Sequence, residues 1–200
     1  MRGWTALRER LAPWGALKSQ PASDWQGPDP LPQVIADFYR EVGPWGETYH
    51  ASVGPVGLTI AAGGNPVEVP PLHKLWSRQD GFAWSRSPAQ RLPQWPAQWL
   101  VIALEGSNPF VLDRDSGAVL FHFSGCGHWR EPRAFAPDLA TALGGIATVA
   151  NALSELGDAA LDEDFNLKDS SRAFVQYALA EFVGDSGQAQ AMLAAWQWYL

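Results

Sequence analysis

The stretch WLVIALEGSNPFVLDRDSGAVLFHF, residues 99–123, decides the fold. Its first six residues form a continuous aliphatic run, which is typical of a buried strand. Two further apolar runs, 110–113 and 118–123, flank the polar segment 114–117, whose Gly117 fits a hairpin turn. The stretch therefore predicts three consecutive strands arranged as an antiparallel meander.

Helices are predicted after the meander. In residues 137–156 apolar side chains recur three or four positions apart, which is the spacing of one helix face. Gly144 and Gly145 inside this helix each cost about 1 kcal/mol relative to alanine, so we expect close packing against the sheet or a bend there. Asp169 is the predicted N-cap of another helix. Breakers at 184–187 separate it from a last one, so the two form a C-terminal helical hairpin.

The pattern upstream of the meander is more interrupted. An amphipathic helix is predicted over 4–14, and a second over 32–43, which has proline in its first turn and glycine at its end. Residues 49–69, interrupted by glycine and proline, predict two short strands, or one strand and an edge segment. The stretch 72–98 is rich in Trp and Pro and predicts a packed loop with one strand near 82–85.

These elements together predict an α+β fold: a mostly antiparallel sheet with helices packed on it. We expect three segments along the chain. Residues 1–27 hold a helix and a linker, and residues 28–157 form the α+β domain. Residues 158–200 are a C-terminal helical extension of the same globule.

Composition excludes several classes of protein. The 200 residues carry 14 Lys and Arg against 21 Asp and Glu, a net charge of −7, so the chain lacks the basic field that nucleic-acid binding needs. A hydrophobic content of 46% is too high for a disordered chain. The single cysteine, Cys126, forms no internal disulfide, and neither a signal peptide nor a membrane span is evident. We therefore expect a soluble cytoplasmic protein that binds neither nucleic acid nor membrane.

One cluster has the residue types of a metal site: His122, Cys126 and His128. Zinc sites use such ligands, but the spacing here completes none of the usual patterns. Cys126 beside His128 also resembles an activated thiol, although a lone neighbouring histidine is weak support for one. The favoured interpretation is structural, with His122 in a strand and Cys126 in a turn, so no metal and no cofactor is predicted.

Two sets of side chains are candidate binding residues. Four carboxylates cluster near the start of the C-terminal segment, either as a solvated loop or as a negative patch for a basic partner. They are Asp158, Asp162, Glu163 and Asp164. Trp76 and Trp84, in the irregular stretch before the meander, are candidates if they are uncovered. No nucleophile elbow, phosphate loop, dinucleotide fingerprint or H-E-x-x-H motif occurs, so the chain is not expected to be an enzyme.

Several short motifs, in order, carry a resemblance to a known family. They are the helix opening with Leu31-Pro32, then EGSNPFVLD at 105–113, SGAV at 116–119, SGCGHW at 124–129 and FAPDL at 135–139. Over residues 28–156 the chain resembles the SUKH superfamily, which includes a yeast cell-wall-synthesis regulator and many bacterial immunity proteins. The N-terminal extension and the C-terminal helical pair depart from the compact form of that family.

The resemblance implies a non-enzymatic binding module, in most cases an immunity protein that neutralises a cognate bacterial toxin. Complementary charge would speed encounter between this acidic chain and a basic toxin. One alternative is a small-molecule-binding protein or enzyme that uses a Trp-lined cleft with His122, Cys126 and His128. Another is a housekeeping scaffold protein of the same fold. The oligomeric state is left open by the sequence.

Overall fold

The fold is built on one antiparallel sheet whose strands are short and apolar. The structure is a computed structural model that describes residues 3–86, 89–124, 132–164 and 166–198. Within that part the sheet has six strands in the order β1-β2-β5-β6-β7-β8, and β3 and β4 form a separate two-stranded ribbon. The strands are β1 Leu58–Ile60, β2 Val67–Val69, β3 Trp84–Arg86, β4 Ala89–Arg91, β5 Trp99–Glu105, β6 Asn108–Asp113, β7 Val119–Phe121 and β8 Arg133–Ala136.

The meander predicted from residues 99–123 is confirmed. β5, β6 and β7 pair in sequence as antiparallel neighbours, and β8 extends the meander by one strand. Residues 49–69 form two short strands, which is the first of the two predicted arrangements. These strands, β1 and β2, form a hairpin joined to β5 through Val67 and Glu68. The sheet is therefore antiparallel throughout its described part.

The helices pack as a layer on one face of this sheet. They are α1 Trp4–Leu11, α2 Gln33–Glu41, α3 Leu72–Leu75, α4 Leu139–Leu156, α5 Asp169–Val183 and α6 Ser186–Trp196. The α+β class and the C-terminal pair of helices are thereby confirmed. Leu7 of α1, Ile146 of α4, Val175 of α5 and Trp196 of α6 all lie in one buried hydrophobic cluster.

The central helix α4 begins at the N-cap Asp138, whose Oδ1 accepts a 2.7 Å hydrogen bond from the backbone N–H of Thr141. The close packing expected at its two glycines is present, but other helices make it, not the sheet. A β-carbon built on Gly144 would lie 2.4 Å from Cζ of Phe182 in α5, and one on Gly145 2.6 Å from Cε of Met192 in α6. The glycines let α5 and α6 approach α4 more closely than a side chain would allow.

By length and composition alone, the stretch Leu139–Ala160 is long and apolar enough to cross a membrane, and it is the sole such stretch among the described residues. Within the fold, 72% of the most apolar part of this stretch is buried. This burial is what the core helix of a soluble protein shows.

The second face of the sheet carries a smaller core. Trp95, Val101 and Val111 are buried there, beneath the later part of the segment 72–98, whereas Leu72 and Leu75 of α3 belong to the main core. This segment was predicted as a loop with one strand. The strand predicted near 82–85 is β3, which pairs with β4 as a ribbon, but the segment starts with α3 and a 3₁₀ turn at Trp76–Gln79, which the sequence did not predict. The regular structure of this segment consists of local turns, and such turns produce no apolar periodicity in the sequence.

Candidate functional site

The acidic residues predicted as a binding patch lie in the connection between α4 and α5, and all four are exposed. This connection begins with a 3₁₀ turn at Gly157–Ala160. An antiparallel β-bridge between Leu161 and Leu167 then joins the two ends of the remaining loop. The exposed carboxylates are those of Asp158, Asp162, Glu163 and Asp164. The connection therefore presents four carboxylates to solvent together with Lys168, whose ammonium donates to the carbonyl oxygen of Ala159, so its net charge is negative.

Asp162 holds the acidic connection in shape. Its Oδ1 accepts hydrogen bonds from the backbone N–H groups of Asp164, at 2.9 Å, and Asn166, at 2.8 Å. Its own N–H donates to the carbonyl oxygen of Asn166 at 2.9 Å. The backbone hydrogen bond from Asn166 is the main cause that holds the pKa of Asp162 below its usual value. Asp162 is thus the structural member of the group, whereas its three neighbours are free to face a partner.

Trp76 and Trp84, the other predicted binding residues, are half-buried and do not form an exposed aromatic patch. Their ring centroids lie 5.9 Å apart, and Trp76 also meets the edge of Trp25 at 5.9 Å. The three rings form a row that attaches the N-terminal linker to the segment 72–98. Packing accounts for these side chains.

A Trp-lined cavity of about 150 Å³ lies beside this row. Trp25, Trp76, Trp95 and Trp99 are among the side chains that line it, and an ion pair between Arg91 and Asp29 stands at its edge. The cavity is mostly apolar with a few polar groups, as small-molecule sites are. His122 does not line it.

The predicted metal alternative is only partly described. His122 is buried, and its backbone N–H donates to the carbonyl oxygen of Pro109 at 3.1 Å, continuing the β6–β7 pairing. Cys126 and His128 lie outside the described residues. Within the described ranges no three His, Cys, Asp or Glu side chains come together as a metal site. The metal alternative stays a prediction.

A second cleft, which the sequence did not predict, lies where the β5–β6 hairpin turns. Glu105, the last residue of β5, pairs with Asn108, the first residue of β6. Between them Gly106 has a φ of 59°, which glycine adopts without strain. Because cross-strand partners carry their side chains on one face of the sheet, this turn places Glu105 beside Asn108.

The β1–β2 hairpin and the end of α6 provide the other walls of the Glu105 cleft, whose volume is about 300 Å³. The indole N–H of Trp198 donates to the carbonyl oxygen of Ala62 at 2.7 Å and so attaches the C-terminal residues to the hairpin. Gly64 in the same hairpin lies against the carboxylate: a β-carbon there would stand 3.1 Å from Oε1 of Glu105. The cleft is therefore assembled from three parts of the chain.

Two side-chain donors act on the Glu105 carboxylate. Oδ1 of Asn108 accepts from both the backbone N–H and the hydroxyl of Ser124, at 3.0 and 2.9 Å, which leaves its NH₂ group to face Glu105. The indole N–H of Trp196 is buried and makes no hydrogen bond with normal distance and angle. It is nonetheless close enough to Glu105 to favour the ionised carboxylate. Burial outweighs both donors and raises the pKa of Glu105 above its usual value.

Aromatic side chains form the walls above the carboxylate. Phe121, Trp196 and Trp198 are buried, whereas Phe123 at the mouth is 44% exposed. Beside them Gln197 ends α6 with a φ of 57°, the one non-glycine residue with positive φ in the described part of the chain. Strained backbone of this kind collects at functional sites. An apolar cleft with a perturbed carboxyl is the type of place where ligands bind.

No local pattern could have identified this cleft from the sequence. Glu105 and Asn108 lie between the first two predicted strands, and Trp196 and Trp198 belong to the last predicted helix, with Trp196 on its apolar face. Their proximity depends on how α6 packs across the sheet. The one available signal is the group Glu105-Gly-Ser-Asn, which belongs to the motifs of the resemblance.

Comparison with known proteins provides no relative for this chain: no family model, no curated protein and no solved structure matches it.

Proposed function

We propose that this chain is a non-enzymatic binding protein of SUKH type, an immunity protein that neutralises a cognate bacterial toxin by direct binding in the cytoplasm. The observation that carries this proposal is the anchored acidic connection between α4 and α5. Its carboxylates are exposed, and Asp162 fixes the backbone that presents them. A preformed negative surface favours a basic protein partner because it speeds encounter and loses little entropy on binding.

The charge of the whole chain supports the same partner chemistry. A net charge of −7 gives a long-range field that attracts a basic protein and repels nucleic acid. A basic toxin that acts on nucleic acid would present its substrate-binding surface to such a field. The acidic connection would then compete with the phosphates of the substrate.

Growth rescue tests the proposal. The protein encoded next to this chain is expressed in a sensitive bacterium, with and without the chain. We expect growth arrest by the neighbour alone and recovery with the chain. A harmless neighbour, or arrest that the chain does not relieve, contradicts the proposal.

A triple variant tests the acidic connection itself. Asp158→Asn, Glu163→Gln and Asp164→Asn remove three charges and keep Asp162, which holds the loop. Association with the toxin should slow on the order of tenfold at low salt. The matched control changes three exposed carboxylates elsewhere, those of Glu9, Asp115 and Glu181. Equal slowing by both variants would assign the effect to net charge instead of the acidic connection.

A second candidate function is favoured by the Trp-lined cavity. Its four indole rings suit a planar or sugar-like molecule, and its volume of about 150 Å³, below the usual range of ligand sites, limits that molecule to the size of a fragment. Soaking crystals in a library of small fragments tests this candidate. Density between Trp25 and Trp99 would support it, whereas fragments found only at other sites would contradict it.

A further inference from the structure

The Glu105 cleft carries a negative charge that the described residues leave without a cation. Glu105 lies in none of the ion pairs formed by the described Lys and Arg side chains. The groups that face it, Asn108 and Trp196, are neutral donors that favour the ionised form. A half-buried carboxylate with neutral donors has a net charge, which a cation can compensate with an ion pair and a charge-assisted hydrogen bond.

The walls of the cleft add selectivity for a particular kind of cation. Phe121 and Trp198 line the interior, and Phe123 stands 44% exposed at the mouth. Guanidinium groups stack on aromatic faces and pair with a carboxylate through two parallel hydrogen bonds, whereas an ammonium is a compact, strongly hydrated charge. Aromatic walls around a carboxylate therefore favour arginine over lysine.

Two backbone positions, Gly64 and Gln197, shape the Glu105 cleft. A side chain in place of Gly64 would meet Glu105, and Gln197 holds a left-handed conformation that glycine would adopt at lower cost. The volume of about 300 Å³ is at the small end of ligand sites, which fits a single long side chain better than a cofactor. The buried indole N–H of Trp196 lies close to the Glu105 carboxylate, so a ligand that pairs with this carboxylate changes the surroundings of that N–H.

We infer that the Glu105 cleft receives an arginine side chain of the partner protein, with the guanidinium paired to the Glu105 carboxylate and stacked on Phe123. This inference rests on the proposed function, because it names the chemistry by which the toxin is recognised. It adds a specific anchor to the long-range attraction of the acidic connection. Buried arginine anchors of this kind contribute much of the binding energy at protein interfaces.

Titration of the full chain with N-acetyl-L-arginine amide tests the chemistry of the cleft. The indole N–H resonance of Trp196, assigned by NMR, should shift and saturate. N-acetyl-L-citrulline amide has nearly the same shape without the charge, and we expect it to bind about tenfold more weakly. Equal binding of the two probes, or no shift at Trp196 with either, would overturn the inference.

Variants locate the effect. Glu105→Gln should remove the preference for arginine over citrulline, and Phe123→Ala should weaken arginine binding while the preference persists. Glu181→Gln, at an exposed carboxylate on α5, is the matched control and should behave as the parent chain. A preference that survives in Glu105→Gln would place the cation elsewhere and overturn the inference.

The toxin complex separates this inference from the proposed function. If the chain and its Glu105→Gln variant rescue growth and bind the toxin equally, the proposed function holds and the arginine anchor is overturned. A loss of affinity in Glu105→Gln with normal folding supports both. If the chain binds the arginine probe but forms no complex with the toxin, the proposed function is overturned. The toxin is then also excluded as the source of the arginine.

Discussion

At Glu105 the proposed role in binding and the stability of the fold make opposite demands on one carboxylate. Burial raises the pKa of its carboxyl, so the folded chain holds a proton more tightly than the unfolded chain does. Between the ordinary pKa and the raised one, the folded state binds more protons. Stability that this group contributes in acid is therefore lost as the pH rises through that window.

We predict that Glu105→Gln stabilises the chain more at about pH 7 than at about pH 3. At about pH 7 the native carboxyl is ionised although it is half-buried, whereas at about pH 3 it is protonated in both the folded and the unfolded state. Gln keeps the shape and removes the charge. Thermal unfolding of both proteins at the two pH values measures the difference. Stabilisation that is equal at both pH values, or destabilisation confined to neutral pH, would show that the carboxylate is not under the burial cost described here.

At the scale of elements, α4 is positioned by the two glycines that α5 and α6 cover. The neighbours differ in how easily they move. Phe182 places three ring carbons within 3.2 Å of a β-carbon built on Gly144, whereas Gly145 meets the flexible end of Met192 at 2.6 Å and Leu179 at 3.4 Å. A phenyl ring moves only as a rigid plane, whereas the methionine methyl can rotate away.

Gly144→Ala should therefore destabilise the fold by about 1–2 kcal/mol, since overpacking outweighs the gain in helix propensity. Gly145→Ala should cost less, because Met192 adapts. Urea unfolding of the two variants gives both values. Ser154→Ala, on the exposed part of the same helix, is the control and should change stability by no more than about 0.5 kcal/mol. A stabilised Gly144→Ala protein would contradict this packing.

The edge of β5 depends on a single side chain. Beyond the short β2, the backbone of Val101 is paired by Gln79: its Oε1 accepts from the Val101 N–H at 2.9 Å, and its Nε2 donates to the Val101 carbonyl oxygen at 2.8 Å. Gln79 is buried, and its Nε2 also donates to the carbonyl oxygen of Leu75 at 3.0 Å. One amide thus replaces a missing strand neighbour.

Gln79→Leu should cost ~1–3 kcal/mol, because it leaves buried backbone groups of β5 without partners. The exposed Gln90 on β4 provides the matched control: Gln90→Ala should stay within about 0.5 kcal/mol of the parent chain. Chemical denaturation measures both. A Gln79→Leu protein as stable as the control would mean that water satisfies Val101 equally well.

At the scale of the whole molecule, local features were predictable and assembled ones were not. The strands of residues 99–123 follow from apolar runs and turn residues, which act within a few positions. Gln79 gains its role from Val101, which lies 22 positions away in the sequence. Glu105 gains its role from Trp196, which lies on another element. No periodicity records such pairings.

The same distinction holds for the site. The acidic residues 158–164 were predicted because they are adjacent in sequence, and their exposure follows from their charge. The N-cap of α5 was predicted at Asp169, but the structure places Lys168 there and Asp169 in the first turn, a shift of one residue. The Glu105 cleft needs the β1–β2 hairpin, the β5–β6 turn and α6 together, and so it emerged only from the fold.

The central claim, that this chain binds and neutralises a basic toxin, is tested most directly by gel filtration with light scattering on the purified chain mixed with the protein encoded beside it. We predict a stable complex whose mass is the sum of the two proteins. Its affinity should fall with added salt and fall further in Glu105→Gln. Two separate peaks with unchanged masses, at micromolar concentration and low salt, would contradict the claim.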